Sequence, residues 1–154
     1  MEKAIISILY IDDESNNLLA FKANFRRDYS IFTAESAKEG LEILKNNTIQ
    51  IIITDQRMPL QSGVEFLESI LTDFPDPIRI LLTGYSDMEV IINAVNKGQI
   101  FRYLSKPFNE IELKMAIENA AEVYKLREEN RELLKKLISM NEQLEFMLRQ
   151  KLLS

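Results

Sequence analysis

Five short apolar runs, each followed by an amphipathic stretch, constrain this chain more than any other feature. The runs are Ile5 to Ile11, Tyr29 to Ala34, Ile49 to Thr54, Ile78 to Thr83 and Ile100 to Leu104. They are rich in Ile, Leu and Tyr and have the length of strands rather than helices. Three of them, "ISILYI", "IIIT" and "IRILL", are almost continuously apolar, as strands covered on both faces must be. Between them stand helix-start signals of the S-x-x-E kind: Ser36 with Glu39, Ser62 with Glu65, Ser86 with Glu89, and the close variant Asn109 with Glu112. Such a box satisfies two backbone N–H groups left open at a helix start. Gly98, after Asn96 and Lys97, reads as a helix stop. The order βαβαβαβαβα predicts an α/β fold, with a parallel sheet, right-handed crossovers and helices on both faces.

In such sheets ligands gather outside the carboxyl ends of the strands, so the residues that end each strand matter most. Strand one ends in Asp12-Asp13-Glu14 and strand three in Thr54-Asp55. Carboxylates brought together there repel one another unless a cation sits among them. Oxygen ligands without imidazole or thiolate suit a hard divalent ion, most naturally Mg²⁺. Strand four ends in Thr83-Gly84 and strand five runs into Ser105-Lys106-Pro107, a hydroxyl and an ammonium. A carboxylate nucleophile, a metal, a lysine and a hydroxyl together make a phosphoryl-transfer site. Taken singly, each residue has a plainer reading: Asp12-Asp13 as a cap or turn, Asp55 as the opening of a bend, Thr83-Gly84 as a turn, Lys106 as a solvated loop residue.

Composition excludes several other chemistries. The 154 residues, 46% hydrophobic and 28% charged, suit one domain with a modest appendage. With no Cys and no His, there are no disulfides, no zinc site of the usual ligands, no Ser-His triad and no self-supplied phosphohistidine. A net charge of -5 gives no overall attraction to nucleic acid or anionic membrane. The N-terminal apolar run is too short and too soon followed by acids for a signal peptide, and a cytoplasmic protein is expected.

From Glu110 to about Gln150 there is neither Gly nor Pro. Val123, Leu126, Asn130, Leu133, Leu137, Met140, Leu144 and Met147 alternate spacings of three and four, a heptad seam. Asn130 falls at an a position, where a lone Asn fixes the register of a two-stranded parallel coil. A parallel homodimer through this helix is expected, against the alternative of a surface helix lying on its own domain. Leu134 and Leu148 widen the stripe, which leaves room for a higher assembly or another packing surface. Residues 109 to 154 hold nine acids and eight Lys or Arg, so they are not a basic nucleic-acid arm. The last residues, "RQKLLS", contain no helix stop, and a further effector domain beyond them is expected.

The set "YIDDE", "ITDQRMP", "LLTG" and "YLSKPF" resembles the receiver domain of two-component response regulators, in family order and spacing, over residues 4 to about 122. The resemblance implies a doubly wound, flavodoxin-like five-stranded sheet of order 2-1-3-4-5. Residues 1–122 would form the receiver and 123–154 a coiled-coil extension continuous with its last helix. It further implies that Asp55 accepts phosphate from the phosphohistidine of a sensor histidine kinase. Asp12, Asp13 and Asp55 would hold Mg²⁺ with the Arg57 backbone carbonyl, Lys106 would pair with the phosphoryl oxygens, and Lys106-Pro107 would be cis. Thr83 and Tyr103 would be the switch pair. The strings "RILLTGYSD" and "NKGQIFRYLSKPF" look like the receivers joined to HD-GYP-type phosphodiesterase outputs. Arg57 and Tyr85 are bulky for their positions and are expected to slow attack of water on the acyl phosphate. No enzyme activity beyond the domain's own phosphorylation and dephosphorylation is expected. An aspartate-nucleophile phosphatase would need an acid where Arg57 stands. A constitutive dimerising or adaptor module, whose receiver never turns over phosphate, is the other alternative.

Overall fold

The computed structural model describes residues 5–84, 99–106 and 109–154. The Ser86–Glu89 box, Gly98, Tyr85 and the Lys106-Pro107 bond therefore lie outside the described residues. The strands are β1 (Ser7–Ile11), β2 (Ser30–Ala34), β3 (Ile51–Asp55), β4 (Ile78–Thr83) and β5 (Arg102–Ser105), and the helices α1 (Ser15–Phe25), α2 (Ala37–Asn46), α3 (Gly63–Ser69) and a C-terminal helix, Glu110–Leu153. All strand pairs are parallel, in the order β2-β1-β3-β4-β5. The fold is the doubly wound five-stranded sheet that the sequence predicts.

Strand side chains alternate between two cores. Leu9, Ile11, Ile52 and Leu81 face α2 and α3, packing with Leu44, Val64, Phe66 and Leu67. Ile8, Tyr10, Ile53, Ile80 and Leu82 face α1 and the C-terminal helix, packing with Leu18, Phe21, Ala116, Ile117 and Ala120. The small residues Ala116 and Ala120, both fully buried, let the C-terminal helix approach the sheet closely. The caps differ in detail. Ser62 and Glu65 close a complete capping box. Ser36 accepts from the Glu39 amide, but the Glu39 carboxylate takes the amide of Glu35 instead. Asn109 Oδ1 accepts from the Glu112 amide at 2.7 Å.

The apolar look of "IRILL" conceals a buried charge. Arg79 is almost wholly buried, and its guanidinium donates to the carbonyls of Phe74 at 2.6 Å and Pro77 at 3.2 Å. Burial, reinforced by the charge of Arg127, lowers its pKa from the ordinary value. Arg79 thus serves as an internal strut for the chain leading into β4.

The C-terminal helix is one unbroken element of 44 residues, about 66 Å at 1.5 Å per residue. Its first part lies on the sheet, and Val123 and Tyr124 still pack on the core. This corrects the seam at its head, because Val123 faces the domain and the free stripe starts at Leu126. Arg131 pairs with Asp76 at 2.7 Å, in the chain before β4. Past that point Leu133, Leu137, Met140, Leu144 and Met147 are all exposed. Among the described residues no helix is long and apolar enough to cross a membrane.

Gly63 marks the tightest approach in the fold. A Cβ at this position would overlap the Asp55 carbonyl oxygen and lie 2.9 Å from Leu81 Cδ1, whereas one at Gly84 would meet nothing within 4 Å among the described residues. Gly63→Ala is expected to destabilise the protein by about 1–3 kcal/mol through overpacking, and Gly84→Ala by less than about 0.5 kcal/mol. Urea unfolding of the two variants checks this pair.

Candidate functional site

The sheet register assembles the strand ends into one row. Ile11 pairs with Thr54, Asp55 with Leu82 and Thr83 with Ser105, so the residues at or just after these positions share one edge. Asp12, Asp13 and Asp55 offer carboxylate oxygens that all lie within 4.8 Å of one another. Asp12 is fully buried and Asp55 is 8% exposed, while Asp13 is open to solvent. Lys106 reaches in from the end of β5, its Nζ 3.1 Å from Asp55 Oδ1. Its backbone N–H donates to the Thr83 carbonyl at 2.7 Å, which extends the β4–β5 ladder by one residue and fixes where the lysine starts.

Asp12 is held by three donors. Tyr10 Oη and Asn17 Nδ2 both donate to its Oδ2, at 2.9 and 3.0 Å, and the Glu14 amide donates to its Oδ1 at 3.0 Å. Glu14, the N-cap residue of α1, has no side-chain cap bond of its own. The carboxylate of Asp12 closes this turn and is at the same time part of the acid cluster. The Tyr10 ring stacks on Phe21 with centroids 4.5 Å apart and planes 8° from parallel. Burial and the neighbouring Asp12 raise the Tyr10 pKa, so the phenol stays a donor at neutral pH.

Gln56 ties the end of β3 to its surroundings. Its amide donates to the Leu82 carbonyl at 2.8 Å, its carbonyl accepts from Gly63, and its Oε1 accepts from the Val64 amide at 2.9 Å. The start of α3 is thereby fixed to the residue after Asp55. Arg57 is exposed, and Leu60 turns the chain back with φ 72°, a strained value for a branched side chain. Thr83 is fully buried, and its hydroxyl donates to the Gly84 carbonyl at 3.1 Å. Tyr103 is 39% exposed.

Sequence reasoning located Asp12, Asp13, Asp55, Thr83 and Lys106, and the fold brings them to one edge. It missed Tyr10, Asn17 and Gln56. Tyr10 could have been found by its period, since it points to the same face as Asp12, two residues on. Asn17 and Gln56 carry no signal above that of ordinary polar residues.

The donor set is three hard carboxylates with no soft or imidazole ligand, which fits Mg²⁺, and Lys106 adds a cation suited to anionic oxygens. A model of the response regulator receiver domain matches residues 8–118. The chain belongs to the response regulator receiver family. Receivers generally bind Mg²⁺ at an acidic pocket of this kind, and their family role is in two-component signalling. The hydrogenase transcriptional regulatory protein HoxA of Bradyrhizobium diazoefficiens is 33% identical over 123 residues, 80% of this chain and 25% of that protein. A structure titled as an adenylate cyclase from Rhodopirellula baltica matches with TM-score 0.83 at 34% identity, over 86% of this chain and 99% of that one. The signal receiver domain of an HD domain-containing protein from Pseudomonas fluorescens Pf-5 matches with TM-score 0.75 at 31% identity, over 79% and 98%. The chain spans about a quarter of the curated relative's length.

The Asp55 carboxyl is pushed above its ordinary value of 3.8 by burial, opposed by Lys106 and assisted by Asp12. A raised carboxyl pKa means that the folded state holds its proton more tightly than the unfolded chain. That contribution to stability is present below 3.8 and is lost as pH rises through the raised value. In metal-free buffer Asp55→Asn is therefore expected to remove this fall in stability with pH and to be the more stable protein at pH 7, as read by denaturant unfolding at a series of pH values.

Proposed function

We propose that this receiver is phosphorylated on Asp55 by a sensor histidine kinase, in a Mg²⁺-dependent reaction, and signals through its C-terminal helix. The observation that carries this reading is the 3.1 Å contact of Lys106 Nζ with Asp55 Oδ1, beside two further carboxylates within 4.8 Å. A carboxylate oxygen of Asp55 attacks the phosphorus of the kinase phosphohistidine. The new O–P bond forms as the N–P bond breaks, and the electron pair leaves with the imidazole. Asp12, Asp13 and Asp55, with the Arg57 carbonyl, would hold Mg²⁺, which neutralises phosphoryl oxygens when bound. Lys106 then exchanges its partner, from the free carboxylate to the phosphoryl oxygens.

Thr83 and Tyr103 are proposed as the switch. The Thr83 hydroxyl is spent on the neighbouring Gly84 carbonyl, a weak local bond that a phosphoryl oxygen would outcompete. Its rotation would open space for Tyr103, whose half-exposed ring corresponds to the outward of two positions.

For output, residues 123–154 are proposed as a coiled-coil extension, with Leu126, Asn130, Leu133, Leu137, Met140, Leu144 and Met147 forming a parallel homodimer seam. Their exposure in the single chain supports this reading, because a row of apolar side chains left in water is what association removes. Asn130 facing its own copy favours the parallel arrangement. A cytoplasmic location and an effector joined beyond the helix, of HD-GYP type or otherwise, belong to the same proposal, with no nucleic-acid contact by this chain.

Incubation with Mg²⁺ and acetyl phosphate is expected to add one phosphoryl mass to the wild type and none to Asp55→Asn. An equal adduct on both would remove Asp55 from its role. Sizing by light scattering is expected to give a dimer, and a monomer with and without phosphorylation would remove the seam. A dimer that never acquires phosphate would establish the constitutive adaptor instead. Arg57→Ala is expected to speed loss of phosphate from the phosphorylated protein about 2- to 10-fold if the side chain screens the acyl phosphate from water, which corresponds to about 0.4–1.4 kcal/mol. An unchanged rate of phosphate release would clear Arg57 of that role.

A further inference from the structure

We infer that Tyr10 and Asn17 are positioning residues that set which cation the acidic cluster accepts, by making Asp12 a ligand with only one available position. This rests on the proposal that the cluster holds Mg²⁺. An ionised carboxylate has about four acceptor positions, two on each oxygen. Tyr10 Oη and Asn17 Nδ2 occupy Oδ2, and the Glu14 amide takes one position on Oδ1. Among the described residues this leaves one position, on Oδ1. Asp12 is fully buried, so its bonding partners are set by these fixed groups rather than by exchange with solvent.

The donors are themselves held. The Tyr10 ring is fixed against Phe21, which in turn packs on Phe25 with centroids 4.8 Å apart. The Asn17 amide nitrogen faces both Asp12 Oδ2 and Glu14 Oε2, the latter at 3.3 Å. Both acceptors are carboxylates, so only the NH₂ end of the amide can point there and its orientation is determined. Oδ2 is consequently closed to a metal unless a held donor is displaced.

The consequence is selectivity. Ca²⁺ takes six to eight oxygens in flexible geometry and commonly engages a carboxylate through both oxygens. Mg²⁺ demands a compact octahedron, takes single oxygens and keeps several waters. With Oδ2 filled, Asp12 cannot chelate through both oxygens, which costs Ca²⁺ a ligand and Mg²⁺ nothing. The same two donors hold Oδ1 in place for a single contact, direct or through a metal-bound water.

The test is calorimetric titration of the dephosphorylated protein with MgCl₂ and CaCl₂ separately, for wild type, Tyr10→Phe, Asn17→Ala and the double variant. Tyr10→Phe keeps the stack on Phe21, and Asn17 is only half-buried on α1, so it carries the test alone if the Tyr10 variant fails to fold. The ratio Kd(Ca²⁺)/Kd(Mg²⁺) is expected to fall several-fold in each single variant and about tenfold or more in the double, the scale of outer-contact changes at metal sites. A purely structural loss would weaken both cations alike and leave the ratio where it was. A double variant whose ratio stays within about twofold of wild type overturns the inference. A wild type that binds no Mg²⁺ overturns the metal-site proposal itself, and this inference with it.

Discussion

Two carboxylates held almost out of water at the end of an apolar sheet set the terms for everything around them. Asp12 and Asp55 both lie within reach of Asp13, and like charges so placed are tolerated only where fixed donors and cations answer them. Asp12 is answered by three hydrogen bonds, Asp55 by the Lys106 ammonium. The two solutions differ in kind. Asp12 is held by uncharged donors, whereas Asp55 faces a charged partner carried on a long side chain. Two chemically identical groups are thereby given different surroundings.

The scaffold gives those surroundings their rigidity. β1, β3 and β4 are buried throughout or nearly so, and Gln56 staples the end of β3 to the start of α3. Gly63 is the point where that staple draws the backbones so close that no side chain fits. Small displacements at the strand ends have little room to dissipate inside such a core. The partly exposed β5 and the C-terminal helix are where adjustment can be accommodated.

Much of this was legible in the sequence. Among the described residues, the apolar runs placed the strands to within a few residues, and the boxes at Ser36, Ser62 and Asn109 placed three helix starts, because burial on both faces and helix capping leave strong local marks. The acids, Thr83 and Lys106 were legible because strand ends are where a parallel sheet exposes chemistry. What was hidden depended on contacts distant in sequence or on a side chain's burial. Arg79 reads as an interruption of an apolar strand, yet its charge is spent on two backbone carbonyls. Val123 fits the heptad spacing but turns to the domain, since the helix serves two surfaces in succession and the spacing alone cannot say where one yields to the other. Tyr10 looks like any strand aromatic until its hydroxyl is placed.

The handover at Val123 has a mechanical consequence. Because the helix has no break between the part that lies on the sheet and the part that stands free, the two parts form one rod. The free portion, residues 126–153, is about 42 Å long at 1.5 Å per residue. A tilt of ~5° at its root, such as a slight repacking around Ala120 would cause, carries Leu153 through about 4 Å. Arg131 braces the rod near that root, against the chain that leads into β4, the strand ending in Thr83. A small change of angle where the helix leaves the sheet is thus enlarged to atomic size at its far end.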